Sequence, residues 1–145
     1  MKRGFTLIEL IIVLLIIGVL ATLAIPQITV SQERARCREA IANLRLIAAA
    51  ERTYLLELDS YFPHPSAAIP SGTETDVGTI DSMLKLSLNE DNWDYVVTSD
   101  NTNLTLTATA TRLTGRFSNC VFQIQITSNN PEAEPAPVIS ANCPP

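Results

Sequence analysis

Residues Leu10 to Ile25 (LIIVLLIIGVLATLAI) carry no charge, and with Phe5 to Ile8 they form one apolar stretch broken by a single carboxylate, Glu9. As a helix, about 21 residues at 1.5 Å each reach about 31 Å, enough for the roughly 30 Å hydrocarbon core of a bilayer. Lys2 and Arg3 stand directly before the stretch. Positive charge resists translocation, so a single membrane pass with a cytoplasmic N-terminus is expected. Arg34, Arg36 and Arg38 lie behind the span and oppose that bias, offset in part by Glu33 and Glu39. A secretory signal peptide has the same basic start and apolar core, with small residues marking cleavage behind it. Val19-Leu20-Ala21 would serve as that site, leaving an exported domain without an anchor. Glu9 does not suit an ordinary signal. A carboxylate at the centre of an apolar span costs roughly 2.5–3.5 kcal/mol, less near its end, so Glu9 either snorkels to the headgroups or has a partner.

The rest of the chain narrows the class. A length of 145 residues accommodates one compact domain beside this anchor. A net charge of −5 offers no clustered Lys and Arg for phosphates, so no specific nucleic-acid site is expected. The single histidine, His64, sits between Pro63 and Pro65, which rules out a two-His metal site or a Ser-His-Asp arrangement, and no enzyme is expected. The acidic stretch Asn89-Glu90-Asp91-Asn92 with Asp94, joined by Asp76 and Asp81, lacks EF-hand spacing. Asp91 and Asp94 are therefore weak calcium candidates, and no cofactor is expected. Asn103-Leu104-Thr105 reads as a glycosylation sequon, but it falls in an expected strand.

Pro26 cannot donate to the carbonyl of Thr22 and crowds that turn, so a helix continuing past it is kinked there. Ser31 to Leu58 contains neither Gly nor Pro and is rich in strong helix formers. Cys37, Ile41, Leu44, Ala48, Leu55 and Leu58 recur at three- and four-residue steps, with Glu51 interrupting, and predict one buried stripe. Pro63 to Thr79 reads as a connecting loop, with a short helix over Ile80 to Leu88. Asp94 to Ser99, Asn103 to Arg112 and Ser118 to Ser128 predict strands. The short connections Asp100-Asn101-Thr102 and Thr114-Gly115-Arg116 join them as antiparallel hairpins. The expected fold class is α+β: a long kinked N-terminal helix packed on a small antiparallel sheet.

Gly4-Phe5-Thr6-Leu7-Ile8-Glu9-Leu10, directly behind Lys2-Arg3, resembles the processing motif of the type IV pilin superfamily, which includes the pseudopilins of type II secretion. The likeness extends through Gly18 and Pro26 and through Ala48 to Tyr54. It ends in Tyr61-Phe62-Pro63, where Phe62 intervenes in the family's Tyr-Pro turn. It implies cleavage of Gly4-Phe5 by a membrane-embedded prepilin peptidase and N-methylation of Phe5. It also implies passage through an inner-membrane assembly platform into a homo-oligomeric helical filament, extracellular or periplasmic. The Phe5 amine and the Glu9 carboxylate would pair between neighbouring subunits, each satisfying the other at low dielectric. The implied organisation is a leader, 1–4; a transmembrane and filament-core half of the helix, 5–25; an outer half, 26–58; a connecting loop, 59–92; and a sheet with a C-terminal loop, 93–145. The three cysteines leave three pairings open. Cys37 falls on the helical stripe, where an unpaired Cys behaves as a small apolar residue. The resemblance to the disulfide-closed C-terminal region of many pilins points to Cys120 with Cys143, around Pro131 to Pro137. A pseudopilus subunit and a tethered or secreted binding domain are the alternatives to a pilin.

Overall fold

The structure is a computed structural model that describes residues 5–63, 71–100, 102, 104–115, 117–127, 138–139 and 143, without the side chains of 23–27 and 138–139. The chain divides into two compact units, Met1–Ala35 and Arg36–Pro145. The helix α1 (Leu7–Leu58) contributes to both.

In the first unit the α1 backbone stays helical through Pro26, so the helix does not end at the proline. Thr22 folds its hydroxyl onto the carbonyl of Val19 at 2.7 Å, the local bond by which a threonine hides its polar group on a helix. Among the described residues no helix is long and apolar enough to cross a membrane. The described apolar side chains of α1 before residue 23 cover only about 24 Å at 1.5 Å per residue, against a core of roughly 30 Å.

The second unit is an α+β domain. The buried stripe of α1 is Cys37, Ala40, Leu44, Ile47, Ala48 and Glu51, a helical repeat of 3.6 on one face. Ile41 and Leu55 pack at its border. Leu58 departs from the expectation and is 51% exposed. The helix is closed by Asp59, whose N–H donates to Leu55 O at 2.9 Å from a left-handed φ of 56°. The reversed chain then brings Tyr61 and Phe62 into the core beyond the last turn. Glu51, expected to interrupt the stripe, is inside it.

Facing this helix is a five-stranded antiparallel meander: β1 (Ser71–Glu74), β2 (Trp93–Asp100), β3 (Thr105–Arg112), β4 (Val121–Thr127) and β5 (Val138–Ile139), in that order. Alternation sets the faces. Trp93, Tyr95 and Val97, then Leu106, Ala108 and Ala110, then Phe122, Ile124 and Ile126 point into the core. The central strand alternates small residues against large ones, with Ala110 opposite both Tyr95 and Phe122 and Ala108 opposite both Val97 and Ile124. That spacing leaves room for the helix. Asn43 of α1 donates to the Tyr95 hydroxyl at 2.8 Å and gives the packing one directed bond.

Residues 59–92 are more than a loop. They hold β1 and the helix α2 (Val77–Leu84), which starts and ends earlier than the Ile80 to Leu88 expected. Asp76 caps α2, its carboxylate accepting the Thr79 N–H at 2.7 Å and the Thr79 hydroxyl at 2.6 Å, as N-cap acids do. Lys85 ends it in the left-handed region at φ 55°. The Asp81 carboxylate then receives the Leu88 N–H, at 2.9 Å on its nearer oxygen, and keeps that residue out of helix. β1 extends the sheet ahead of residue 93 by pairing with Val97 to Asp100. Its Gly72 admits a close approach, since a Cβ there would stand 3.1 Å from Pro63 Cγ. Cys120 and Cys143 form a disulfide with 23 residues of separation, and Cys37 lies in the core. Pro131 to Pro137, expected within the closed loop, lie outside the described residues.

Candidate functional site

The segment singled out by the sequence begins where α1 begins. Thr6 is the last residue before the helix, and its hydroxyl accepts the Glu9 N–H at 3.4 Å while lying 3.4 Å from Glu9 Oε2, within donating reach. The Leu10 N–H donates to Thr6 O at 3.3 Å. Thr6 thus stands at the N-cap and Glu9 three residues on, the Thr-x-x-Glu spacing of a capping box, although the carboxylate here meets the hydroxyl instead of the cap's own N–H. A carboxylate in the first turn also suits the positive end of the helix dipole. Thr6 as a partner of Glu9 was missed from sequence, though residues 6–9 spelled it.

Around Glu9 the surface is apolar and open. Phe5 and Leu7 are each 78% exposed, and Ile8, every residue from Leu10 to Ile17, Val19 and Leu20 are exposed as well. Exposed apolar surface of this extent on a helix marks a face meant for lipid or for other protein. Gly18 lies within it, and a Cβ built there would meet nothing within 4 Å. Gly4, Lys2 and Arg3 lie outside the described residues, as does the Pro26 side chain.

Of the calcium candidates, Asp91 precedes β2 and Asp94 lies within it. Asp91 donates its backbone N–H to Asn89 Oδ1 at 3.0 Å, while Asp94 stands on the outward face of β2 opposite Thr111. Among the described residues no group of three or more His, Cys, Asp or Glu side chains is placed to hold a metal ion. His64 and Asn103 lie outside the described residues.

The chain thus joins an exposed apolar helix start, with Glu9 in its first turn, to an α+β unit that carries a disulfide. Residues 1–25 match the family described as the prokaryotic N-terminal methylation motif. Among its relatives, the chain is 48% identical to the type IV major pilin protein PilA of Myxococcus xanthus over 60 residues, which are 41% of this chain and 27% of that one. It is 40% identical over 60 residues to the type II secretion system core protein G of Pseudomonas aeruginosa, 41% of this chain and 42% of that one. It is 28% identical over 134 residues to the type IV wide pilus major component PilA4 of Thermus thermophilus, 92% of this chain and 97% of that one. The chain therefore spans about a quarter of the Myxococcus relative and less than half of the Pseudomonas one. No solved structure matches it significantly. The resemblance to the type IV pilin and pseudopilin superfamily, first met at Gly4-Phe5, is borne out by these matches.

Proposed function

We propose that this chain is a structural subunit of a type IV pilus-like filament and not an enzyme. The observation that carries the reading is the exposed apolar surface of α1 from Leu7 to Leu20, in which Glu9 is the one charged residue, under a match to the N-terminal methylation motif. In this account the precursor sits in the inner membrane with its N-terminus cytoplasmic. The sequence supplies the full span, because the apolar run continues through Ile25. Prepilin peptidase cleaves after Gly4, Phe5 is methylated, and the assembly platform draws the subunit out of the bilayer.

The physical problem at that step is Glu9. In lipid near the membrane surface it reaches water; inside a bundle of helices it needs a positive partner. The amine created at Phe5 is that partner when it comes from a neighbouring subunit. Apolar contact then supplies affinity while the single ion pair fixes the axial register, the role for which isolated polar groups in apolar helix interfaces are best attested. A bend at Pro26 lets the apolar half turn within the bundle without moving the rest of α1. No metal enters this scheme.

The similarity to core protein G favours one second reading, a subunit of the type II secretion pseudopilus. Likeness to PilA4 along nearly the whole chain and the Cys120–Cys143 closure support the pilin. Shearing cells and collecting the filaments separates them. A pilin is recovered in quantity as surface filaments. A pseudopilus subunit is absent from the sheared fraction, and its deletion stops export of secreted proteins. Recovery of the chain as a freely soluble exported domain contradicts both.

A further inference from the structure

Glu51 is fully buried at the end of the α1 stripe. Its Oε2 accepts the Phe62 N–H at 2.9 Å across the chain reversal. Its Oε1 is buried too and has no hydrogen-bond partner among the described residues. An ionised carboxylate presents two oxygens that both need donors, and a buried one left short is costly. The titratable groups around it are Tyr54, on α1, and Tyr61, from the turn; burial and then the charge of Glu51 push both phenols up, while Arg52 acts on Tyr61 in the other sense. For Glu51 itself, burial raises the carboxyl from 4.5 to about 8 and the Phe62 N–H opposes that, with no charged side chain of α1, α2 or the strands among the causes. The turn it holds is wedged further on: Pro63 O accepts the Ser99 hydroxyl of β2 at 2.8 Å, and Gly72 of β1 lies against the Pro63 ring.

We infer that Glu51 is a neutral carboxylic acid that latches the Ser60–Pro63 turn onto the end of α1, and that its ionisation in alkaline medium releases this turn and loosens the edge strand β1 behind it. The latch lies wholly within the unit Arg36–Pro145 and does not depend on the filament reading. Because the folded carboxyl lies above its ordinary value, the stabilisation is fully present below pH 4.5 and is lost as pH rises through about 8. Across that window the folding equilibrium constant falls about tenfold per pH unit from this group.

The test compares thermal and denaturant unfolding of the full chain in detergent micelles with that of Glu51→Gln between pH 5 and pH 9. Glutamine keeps an oxygen for the Phe62 N–H and cannot ionise. The ratio of the native to the variant folding constant should fall about fiftyfold from pH 6 to pH 8, with the variant the more stable at pH 9. Parallel profiles overturn the latch. If Glu51→Gln fails to fold, hydrogen exchange on the native chain decides: the Phe62 amide should be protected at pH 6 and lose protection at pH 9 beyond the intrinsic acceleration. Protection that persists at pH 9 overturns the proposal.

Discussion

One helix carries two surfaces of opposite character. Between Phe5 and Leu20 its large apolar side chains are open, with Leu20 at 60% exposure, whereas Leu44 and Ile47 on the same helix are at 0%. The residue types barely differ; what differs is whether the chain itself supplies a cover. Around Leu44 it does, with Tyr95, Ala110 and Phe122 among the core residues of the sheet. Around Leu10 the described residues leave the apolar side chains exposed. The carboxylates repeat the contrast. Glu51 is enclosed and takes a backbone N–H from the same chain, while Glu9 is exposed and has the hydroxyl of Thr6 within 3.4 Å. One region covers its apolar side chains with its own sheet, and the other leaves them open.

That division predicts that damage to either half leaves the other intact. The largest effect is expected from Glu9→Ala, which removes the charge proposed to set the register: filament yield should collapse or order be lost, while thermal unfolding of the Arg36–Pro145 unit stays unchanged in calorimetry. A fall in melting temperature equal to that of a core variant would break the comparison. Leu44→Ala acts on the other side and should cost about 2–5 kcal/mol of unfolding free energy, as large-to-small changes in a packed core do, measured by denaturant titration. Replacing both Cys120 and Cys143 by serine should cost about 3 kcal/mol, the chain-entropy value for a loop of this size, and leave N-terminal processing untouched. The smallest effect belongs to Asp76→Ala, which removes the α2 cap for about 1 kcal/mol. Its sign is checked by the same titration.

How far the sequence reached follows the same line. The apolar run, the motif at Gly4-Phe5 and the strands from Trp93 to Thr127 were legible because hydropathy, spacing and alternation are local properties. Two elements differ from the expectation, each for its own reason. β1 has the sequence SGTE, with little strand propensity of its own, and it exists because β2 offers it a ladder to pair with. α2 was placed too late because Asp76 was weighed as a metal candidate and not as a cap. Glu51 was read as a break in the stripe, since nothing nearby in sequence announces that the chain turns back and presents the Phe62 N–H. The pairing of Cys120 with Cys143 came from the resemblance, and the residues alone left it open. At the N-terminus Glu9 stands out in the sequence as the one charge in an apolar run, and the Thr-x-x-Glu spacing of residues 6–9 already spells its contact with Thr6.

Intact mass and N-terminal sequencing of the protein recovered from sheared filaments bear most directly on the central claim, that the exposed half of α1 is a processed assembly surface. The predicted result is a chain beginning at Phe5 with one methyl group on its amine. A chain beginning after Ala21, or one retaining Met1, contradicts it.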